Sequence, residues 1–212
     1  MKIKVFSNGL LNSNEYLVWN AHGGRGAVID CGNRARAVAD FAEENGIKVE
    51  YIILTHSHYD HAHYVSEYIA AFPGAKLLCH ADETALLSDP TANLSAYFGE
   101  ATRYPDPDVL LKNGDNAVIC GDKPENDLVF RVMDAPGHTP GSFCLICDAE
   151  QIMFCGDVIF KCGIGRTDFA YGSEEDMLRS LRRILSLPDR ITFYPGHGEP
   201  STVGTERARY RV

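Results

Sequence analysis

Short runs of apolar residues recur along the chain, and each is closed by polar residues, glycine or proline. Apolar runs of this length, ended by such residues, are typical of β-strands, whether half buried or buried on both faces. The pattern predicts strands over residues 2–6, 15–19, 27–30, 49–54, 76–79, 116–119, 128–134, 142–147, 151–154 and 191–194.

Between the strands lie segments whose apolar residues recur three and four positions apart, which is the spacing of a helix face. Gly46 would close the first helix, and Ser173 is the expected N-cap of the last, which has acidic residues in its first turn. A long loop is expected over 88–108. The pattern predicts helices over residues 33–45, 62–71, 82–87 and 173–187.

The order of these elements predicts the fold class. Groups of strands followed by helices, in two successive rounds, indicate an α/β (α+β) protein in which two mixed β-sheets pack face to face and helices cover the outside. This arrangement is a four-layer αββα sandwich. Because no Pro/Gly/Ser-rich linker divides the sequence, we expect residues 1–212 to form a single domain.

Composition and charge exclude several classes of partner. The formal charge of −9 argues against nucleic-acid binding, which needs clustered Lys and Arg. No apolar stretch is long enough for a membrane span, and the first 20 residues lack the apolar core of a secretory signal, so a cytoplasmic protein is expected.

The seven cysteines, an odd number, fit reduced buried thiols, and the Cys144–Cys147 pair falls within a predicted strand.

The densest chemical signal is the segment Thr55-His-Ser-His-Tyr-Asp-His61, directly after a predicted buried strand. In extended backbone, residues two apart face the same way, so His56 and His58 can bind one metal ion. If a helix follows, Asp60 and His61 are rotated away from that pair. They would then serve a neighbouring ion.

Three further candidates lie next to glycine, which lets the backbone approach a site closely. They are His138, Asp157 and His197. Imidazole and carboxylate ligands without thiolate suit zinc, and also iron or manganese.

Of the other histidines, His22 and His80 are expected to be structural or solvated, and His63 could line the pocket or support a ligand.

The loop over 93–108 contains Tyr97, Phe98 and Tyr104 among glycine and proline. These aromatic residues could form a flap that faces the substrate, and on this interpretation Tyr97 and Tyr104 are candidate substrate-binding residues. They could equally close the edge of the sandwich. The sequence leaves both interpretations open.

The segment His56-Ser-His-Tyr-Asp-His61 and the three glycine-flanked residues, in this order, resemble the metallo-β-lactamase fold superfamily, and the resemblance covers essentially the whole chain. It implies two divalent metal ions, with zinc as the expected metal. The first ion would be held by the residues matching His56, His58 and His138. The second would be held by Asp60, His61 and His197, with Asp157 bridging the two.

Within the superfamily, residues 156–169 look like the glyoxalase II branch, which hydrolyses hydroxyacylglutathione thioesters. The resemblance places Arg166 near the thiol part of the substrate. It implies a hydroxide shared by two metal ions as the nucleophile, with Asp60 and Asp157 as catalytic carboxylates that hold the metals, Asp60 also orienting the nucleophile. Classical members carry a C-terminal helical domain that binds glutathione, whereas this sequence is expected to end in a short tail with Glu206, Arg207, Arg209 and Arg211.

Two other functions remain open at this point. A persulfide dioxygenase shares the fold and the segment Gly165-Arg-Thr-Asp-Phe169, and it uses a single iron ion. A non-catalytic metal-binding protein is the alternative of another class. The lack of an export signal disfavours a β-lactamase, and the negative net charge of the chain disfavours a nuclease. The partner we expect is a small-molecule thioester, and the oligomeric state is left open.

Overall fold

The computed structural model describes residues 1–210, and the first of its two large sheets is formed by the N-terminal half of the chain. Neighbours pair antiparallel across the first three strands and parallel across the remaining ones. In spatial order the strands are β1 (Lys2–Phe6), β2 (Glu15–Trp19), β3 (Arg25–Ile29), β4 (Lys48–Ile53), β5 (Lys76–His80) and β6 (Val109–Leu111).

The second sheet is formed by the C-terminal half. Its pairs are antiparallel except for that between β10 and β13, which is parallel. In spatial order its strands are β14 (Ser201–Thr202), β13 (Thr192–Pro195), β10 (Ile152–Gly156), β9 (Phe143–Cys147), β8 (Leu128–Asp134) and β7 (Asn116–Ile119). A small hairpin of β11 (Ile159–Phe160) and β12 (Gly163–Ile164) follows β10 along the chain.

Helices cover the outer faces of both sheets. Ser173 caps the longest of them, since its hydroxyl accepts a hydrogen bond from the backbone N–H of Asp176. Within the described residues the α-helices are α1 (Ala35–Glu44), α2 (Tyr59–Ala62), α3 (Val65–Ala71), α4 (Thr84–Leu87), α5 (Glu174–Leu185) and α6 (Val203–Arg207). No helix within residues 1–210 has the length and apolar character needed to cross a bilayer.

Neighbouring strand residues point into different apolar layers, which defines the layer order. Leu17 of β2 packs in the layer that contains Val38 of α1, whereas the next residue, Val18, packs between the two sheets. On the second sheet, Leu145 faces the layer between the sheets and Ile146 faces α5. The predicted αββα sandwich of two mixed sheets is therefore confirmed, while the single-domain organisation stays a prediction.

Several predicted boundaries differ from the structure. The helix expected over 62–71 begins inside the histidine motif as α2 and resumes as α3, and the one expected over 82–87 is a 3-10 turn followed by α4. The strand β6 and the β11–β12 hairpin were not predicted, because two or three residues carry too little periodicity. The predicted C-terminal tail contains β14 and α6, and Arg211 lies outside the described residues.

A buried carboxyl group lies under the first sheet. Glu15 accepts hydrogen bonds from the hydroxyl of Tyr68 and, at 3.2 Å, from the backbone N–H of Asn33. Burial, aided by nearby Asp30, raises the pKa of Glu15 to about 8, although the two hydrogen bonds act to lower it. The carboxyl group is therefore protonated at neutral pH in the folded protein.

This raised pKa makes stability depend on pH. The free energy of unfolding should be highest below the unfolded-state pKa near 4.5 and fall as pH rises through about 8, because ionised Glu15 disfavours the fold. The loss should be on the order of a few kcal/mol. Glu15→Gln should flatten this fall in denaturant titrations between pH 5 and pH 9, whereas the exposed Glu125→Gln should not. Equal pH dependence in both variants would contradict the assignment.

Candidate metal centre

Four loops carry the predicted metal ligands, and each follows a strand. The motif from Thr55 to His61 follows β4, and His138 lies in the loop after β8. Asp157 follows β10, and His197 follows β13. Strand ends on a rigid scaffold commonly carry sites, and here the loops of both sheets converge. The structure brings all seven predicted side chains into one cluster.

The first part of the cluster is a buried trio of imidazoles from His56, His58 and His138. Nδ1 of His58 lies 2.8 Å from Nε2 of His138. The ring of His56 has its centroid 4.9 Å from each of the other two. One nitrogen from each ring lies within 4.8 Å of the other two, which is a spacing that lets three ligands surround one cation.

The second part consists of Asp60, His61 and His197. Nε2 of His197 lies 3.0 Å from Oδ2 of Asp60 and 3.4 Å from Nε2 of His61. Nε2 of His61 is 3.6 Å from the same oxygen of Asp60. Asp60 and His61 belong to α2, which begins directly after His58. The ring of His61 nevertheless stays near the first trio, with its centroid 4.3 Å from that of His56, and His56, His61 and Asp157 form a third group of possible ligands.

The carboxylate of Asp157 lies between the two parts. Its Oδ1 is 3.4 Å from Nε2 of His61, and its Oδ2 is 3.7 Å from Nε2 of His138 and 3.4 Å from Nε2 of His197. Contacts to both trios put this carboxylate where a bridging ligand would lie.

Hydrogen bonds outside the cluster fix which nitrogen each ring turns inward. Nδ1 of His138 donates to the backbone carbonyl of Arg166 at 2.8 Å. Nδ1 of His61 donates to Oδ2 of Asp30 at 2.9 Å. Because each ring uses its Nδ1–H in this way, its Nε2 is the nitrogen that faces the cluster and can bind a metal ion.

Asp30 also controls His56, through Thr55. Its carboxylate accepts hydrogen bonds from the backbone N–H of Thr55 at 2.8 Å and from the Thr55 hydroxyl at 2.9 Å. Since that hydroxyl proton is used, Nδ1 of His56 donates to Oγ1 of Thr55 at 3.2 Å and Nε2 is left without a partner. Asp30 was not among the residues predicted from the sequence, where its only signal is that an acidic residue ends a predicted buried strand.

Glu83 joins two of the ligand loops and was also not identified from the sequence. Its side chain is fully buried, and its two oxygens accept the backbone N–H groups of Ser57 and Gly141, each at 2.8 Å. Ser57 lies between two predicted ligands of the motif, and Gly141 lies in the His138 loop. One carboxylate thus holds together loops that come from different sheets.

Burial and charge set opposite protonation tendencies across the cluster. Burial lowers the pKa of His58 to about 3, and the neighbouring His138 contributes to that shift. Burial acts in the same direction on His197, but hydrogen bonds to Asp157 and Asp60 prevail and raise its pKa to about 9. Burial thus favours the neutral imidazoles of His56 and His58, whereas the contacts with carboxylates favour the protonated imidazole of His197.

The cluster forms the floor of an open cavity of about 680 Å³. Arg166 and Tyr97, both predicted to bind substrate, line this cavity, and Tyr97 is 73% exposed. The guanidinium of Arg166 lies 4.0 Å over the ring of Phe169 and is paired with Asp168.

Tyr104 does not line the cavity, which corrects its predicted role in substrate binding. The residue is 5% exposed and packs with the apolar layer under the first sheet, because the loop turns its ring inward. The ring of His63 packs at an angle against those of Tyr59 and Tyr64, each at 4.6 Å between ring centroids, and His63 is not among the cavity-lining residues. His80 plays a structural role, as its Nδ1 accepts the N–H of Asp82.

The cluster fits divalent cations chemically. Nε2 of His56 and Oδ1 of Asp157 are buried and have no hydrogen-bond partner among the described residues. Leaving such groups buried and unpaired is costly, and ligation of a cation would satisfy them. The donor set of imidazoles and carboxylates suits zinc, iron or manganese.

Comparisons with known proteins agree with this geometry. The model of the Metallo-beta-lactamase superfamily matches residues 8–197. The hydroxyacylglutathione hydrolase GloC of Haemophilus influenzae is 29% identical over 98% of this chain and 95% of its own. The crystal structure of the BLEG-1 B3 metallo-beta-lactamase superposes with a TM-score of 0.88 at 30% identity, over 98% of this chain and 97% of that one.

A third relative bears on the metal. The crystal structure of TTHA1623 in a di-iron-bound form superposes with a TM-score of 0.82 at 28% identity, over 96% of both chains. The fold and the histidine–aspartate cluster together define a metallo-hydrolase. The chain belongs to the metallo-beta-lactamase superfamily, and the likeness to GloC supports the glyoxalase II branch that the sequence suggested.

Gly196 allows the His197 loop to approach the cluster. A Cβ atom there would lie 2.1 Å from Oδ1 of Asp157 and 2.6 Å from Cε1 of His61. Gly196→Ala should therefore displace both ligands and lower the metal content measured by elemental analysis. Gly198→Ala is the matched control, since a Cβ at that position meets no atom within 4 Å, and its strained φ of +75° should cost only about 1 kcal/mol. Equal metal loss in both variants would contradict this role for Gly196.

Asp30 should control metal affinity through the tautomer of His61. In Asp30→Asn an amide N–H can face Nδ1, so the ring proton moves to Nε2, the atom that faces the cluster. We expect metal affinity to fall about 10- to 100-fold in a chelator competition assay. Asp82→Asn, beside His80 and outside the cluster, is the control. Unchanged affinity in Asp30→Asn would show that Asp30 does not fix the tautomer.

Proposed function

We propose that the protein is a dinuclear metal-dependent hydrolase that cleaves thioesters of the glyoxalase II type, such as hydroxyacylglutathione or a related thioester. The observation that carries the proposal is the position of the Asp157 carboxylate between two trios of ligands. The name of GloC supports the thioester, and the di-iron form of TTHA1623 supports a pair of ions.

In this proposal His56, His58 and His138 would hold one ion, and Asp60, His61 and His197 would hold the other. Asp157, whose carboxylate contacts both groups, would serve both ions. When bound there, two divalent cations supply a hydroxide at neutral pH and polarise the carbonyl oxygen. Zinc is the expected metal, and iron or manganese are the alternatives.

The residues around the cluster then orient the reaction. Asp60 lies in the cavity wall with its Oδ2 against His197, where it can orient the attacking water. The water oxygen joins the acyl carbon, the C–S bond breaks, and the sulfur leaves as a thiol carrying a proton, so one water is consumed for each acid and thiol formed. The proposed partner is thus a small-molecule thioester, and a cytoplasmic location stays a prediction.

Two measurements test the function directly. Elemental analysis of protein purified without added metal gives the number and kind of ions. A turnover panel should contain S-lactoylglutathione and another thioester, a lactone, a phosphoester and a β-lactam, the last because BLEG-1 is named a metallo-beta-lactamase. Oxygen uptake with glutathione persulfide and a single iron ion would favour the dioxygenase. Bound metal without any turnover would favour a non-catalytic metal-binding protein.

Removing the bridging carboxylate should separate a two-ion site from a one-ion site. Asp157→Ala should lower the metal content from about two ions to one or none, and kcat/KM for the thioester should fall at least about 100-fold. The exposed Asp106→Ala is the control and should keep both values. Full activity and full metal content in Asp157→Ala would contradict the two-ion assignment.

A further inference from the structure

Large exposed apolar side chains gather at the mouth of the cavity. Within residues 1–210, nine large apolar side chains are exposed, and four of them line this one cavity. We call these four the apolar rim: Leu11, Tyr97, Phe98 and Ile164. Contiguous exposed apolar surface commonly marks a binding site.

Two leucines that line the cavity have backbone conformations that leucine rarely adopts. The φ angle is 53° at Leu11 and 68° at Leu94, both in the left-handed region. This conformation is unfavourable for a residue with a branched side chain, and strain of this kind clusters at functional sites. Leu11 is also 55% exposed, so burial in the core does not explain its presence.

The loop that carries Leu11 is held firmly against the loop of His197. The backbone N–H of Asn14 donates to the carbonyl of Gly196 at 2.6 Å, and its side-chain amide donates to the carbonyl of Gly198 at 2.8 Å. Ser13 and His197 form an isolated β-bridge. Leu11 is thus fixed in position relative to the cluster.

The opposite side of the apolar rim is held in a similar way. The ring of Phe98 stacks on Tyr59 with the centroids 4.6 Å apart, and Tyr59 lies between His58 and Asp60 in the motif. The backbone N–H of Tyr59 donates to the carbonyl of Asn93 at 2.8 Å. Both sides of the mouth are therefore built onto the ligand loops themselves.

Charge on the cavity wall is compensated. Outside the histidine–aspartate cluster, the charged side chains among the described lining residues are Arg166 and Asp168. They form a two-point pair at 2.6 and 2.7 Å, in which Nε and one Nη of the guanidinium donate to the Asp168 carboxylate. The cavity thus offers a glutathione carboxylate no unpaired cationic side chain on its described lining.

We propose that the apolar rim binds an uncharged apolar arm of the thioester, with Leu11 as a specificity-determining residue, so that such thioesters are preferred to glutathione thioesters. The inference rests on the proposed thioester hydrolysis and narrows its substrate class. The arm belongs either to the acyl group or to the thiol, and both sources place the same chemistry on the rim.

Four thioesters distinguish these sources with the metal-loaded protein. S-acetyl benzyl mercaptan carries the apolar arm on the thiol, and S-hexanoyl-N-acetylcysteamine carries it on the acyl group. S-acetyl-N-acetylcysteamine lacks the arm, and S-acetylglutathione carries charge instead. For at least one arm-bearing compound, we expect kcat/KM to exceed the values for S-acetyl-N-acetylcysteamine and S-acetylglutathione about tenfold or more. Preference for S-acetylglutathione would overturn the inference.

Leu11→Asn separates recognition from folding, because asparagine tolerates left-handed backbone. The variant should be at least as stable as the wild type, while KM for the arm-bearing thioester rises about tenfold at unchanged kcat. KM for S-acetyl-N-acetylcysteamine should not change. Leu110→Asn, which is similarly exposed but does not line the cavity, is the control. An equal rise in KM for all four substrates would overturn the role of Leu11.

Asp168→Asn tests the charge argument by a gain of activity. Without its carboxylate partner, the Arg166 guanidinium becomes free to bind an anion. The ratio of kcat/KM for S-acetylglutathione to that for S-acetyl benzyl mercaptan should then rise several-fold. An unchanged ratio would overturn the argument that pairing with Asp168 withholds Arg166 from glutathione.

A binding measurement separates failure of this inference from failure of the proposed function. A nonhydrolysable benzyl thioether should bind the metal-free wild type, as seen by ligand-observed NMR, and bind Leu11→Asn more weakly. Binding without any thioester turnover would overturn the proposed function and support the role of the apolar rim in binding the arm. Absence of binding, with normal hydrolysis of S-acetylglutathione, would overturn that role of the rim and leave the proposed function intact.

Discussion

The site depends on two buried carboxylates that are not themselves predicted ligands. Imidazoles and carboxylates crowded in a buried space lose their hydration, so partners outside the cluster are needed to orient the rings. Asp30 fixes His61 directly and His56 through Thr55. Glu83 joins the motif to the His138 loop. Without these partners, convergence of the loops would not define which nitrogen faces inward.

Much of the fold and of the site follows from the sequence, for identifiable reasons. The strands that form the middle of each sheet are continuous apolar runs, and the ligands stand directly after them, so their convergence could be predicted. The dense motif around His58 made the cluster recognisable. Asp30 and Glu83 could not be found, because a single acidic residue in a sequence does not show that it will be buried against a backbone N–H.

The loop before β6 shows a different limit. Tyr97 and Tyr104 are alike in the sequence, since both are tyrosines in a loop rich in polar residues. One is exposed at the cavity and the other lies in the core, because backbone turns that have no periodic signal decide where each ring points. Leu11 is a similar case, since the loop that carries it is attached to distant parts of the chain by hydrogen bonds from Leu10 to Gly32 and from Asn14 to Gly196. Features set by long-range contacts are those that local patterns miss.

The spread of the ligands along the chain has a consequence for biosynthesis. The first trio draws on both sheets, and the second needs His197, which comes after the last long helix. A nascent chain that has emerged only as far as β6 presents four of the seven ligands and neither Asp157 nor His138. The full ligand set therefore exists only after the C-terminal sheet has been synthesised and has docked, which ties maturation of the centre to folding of that sheet.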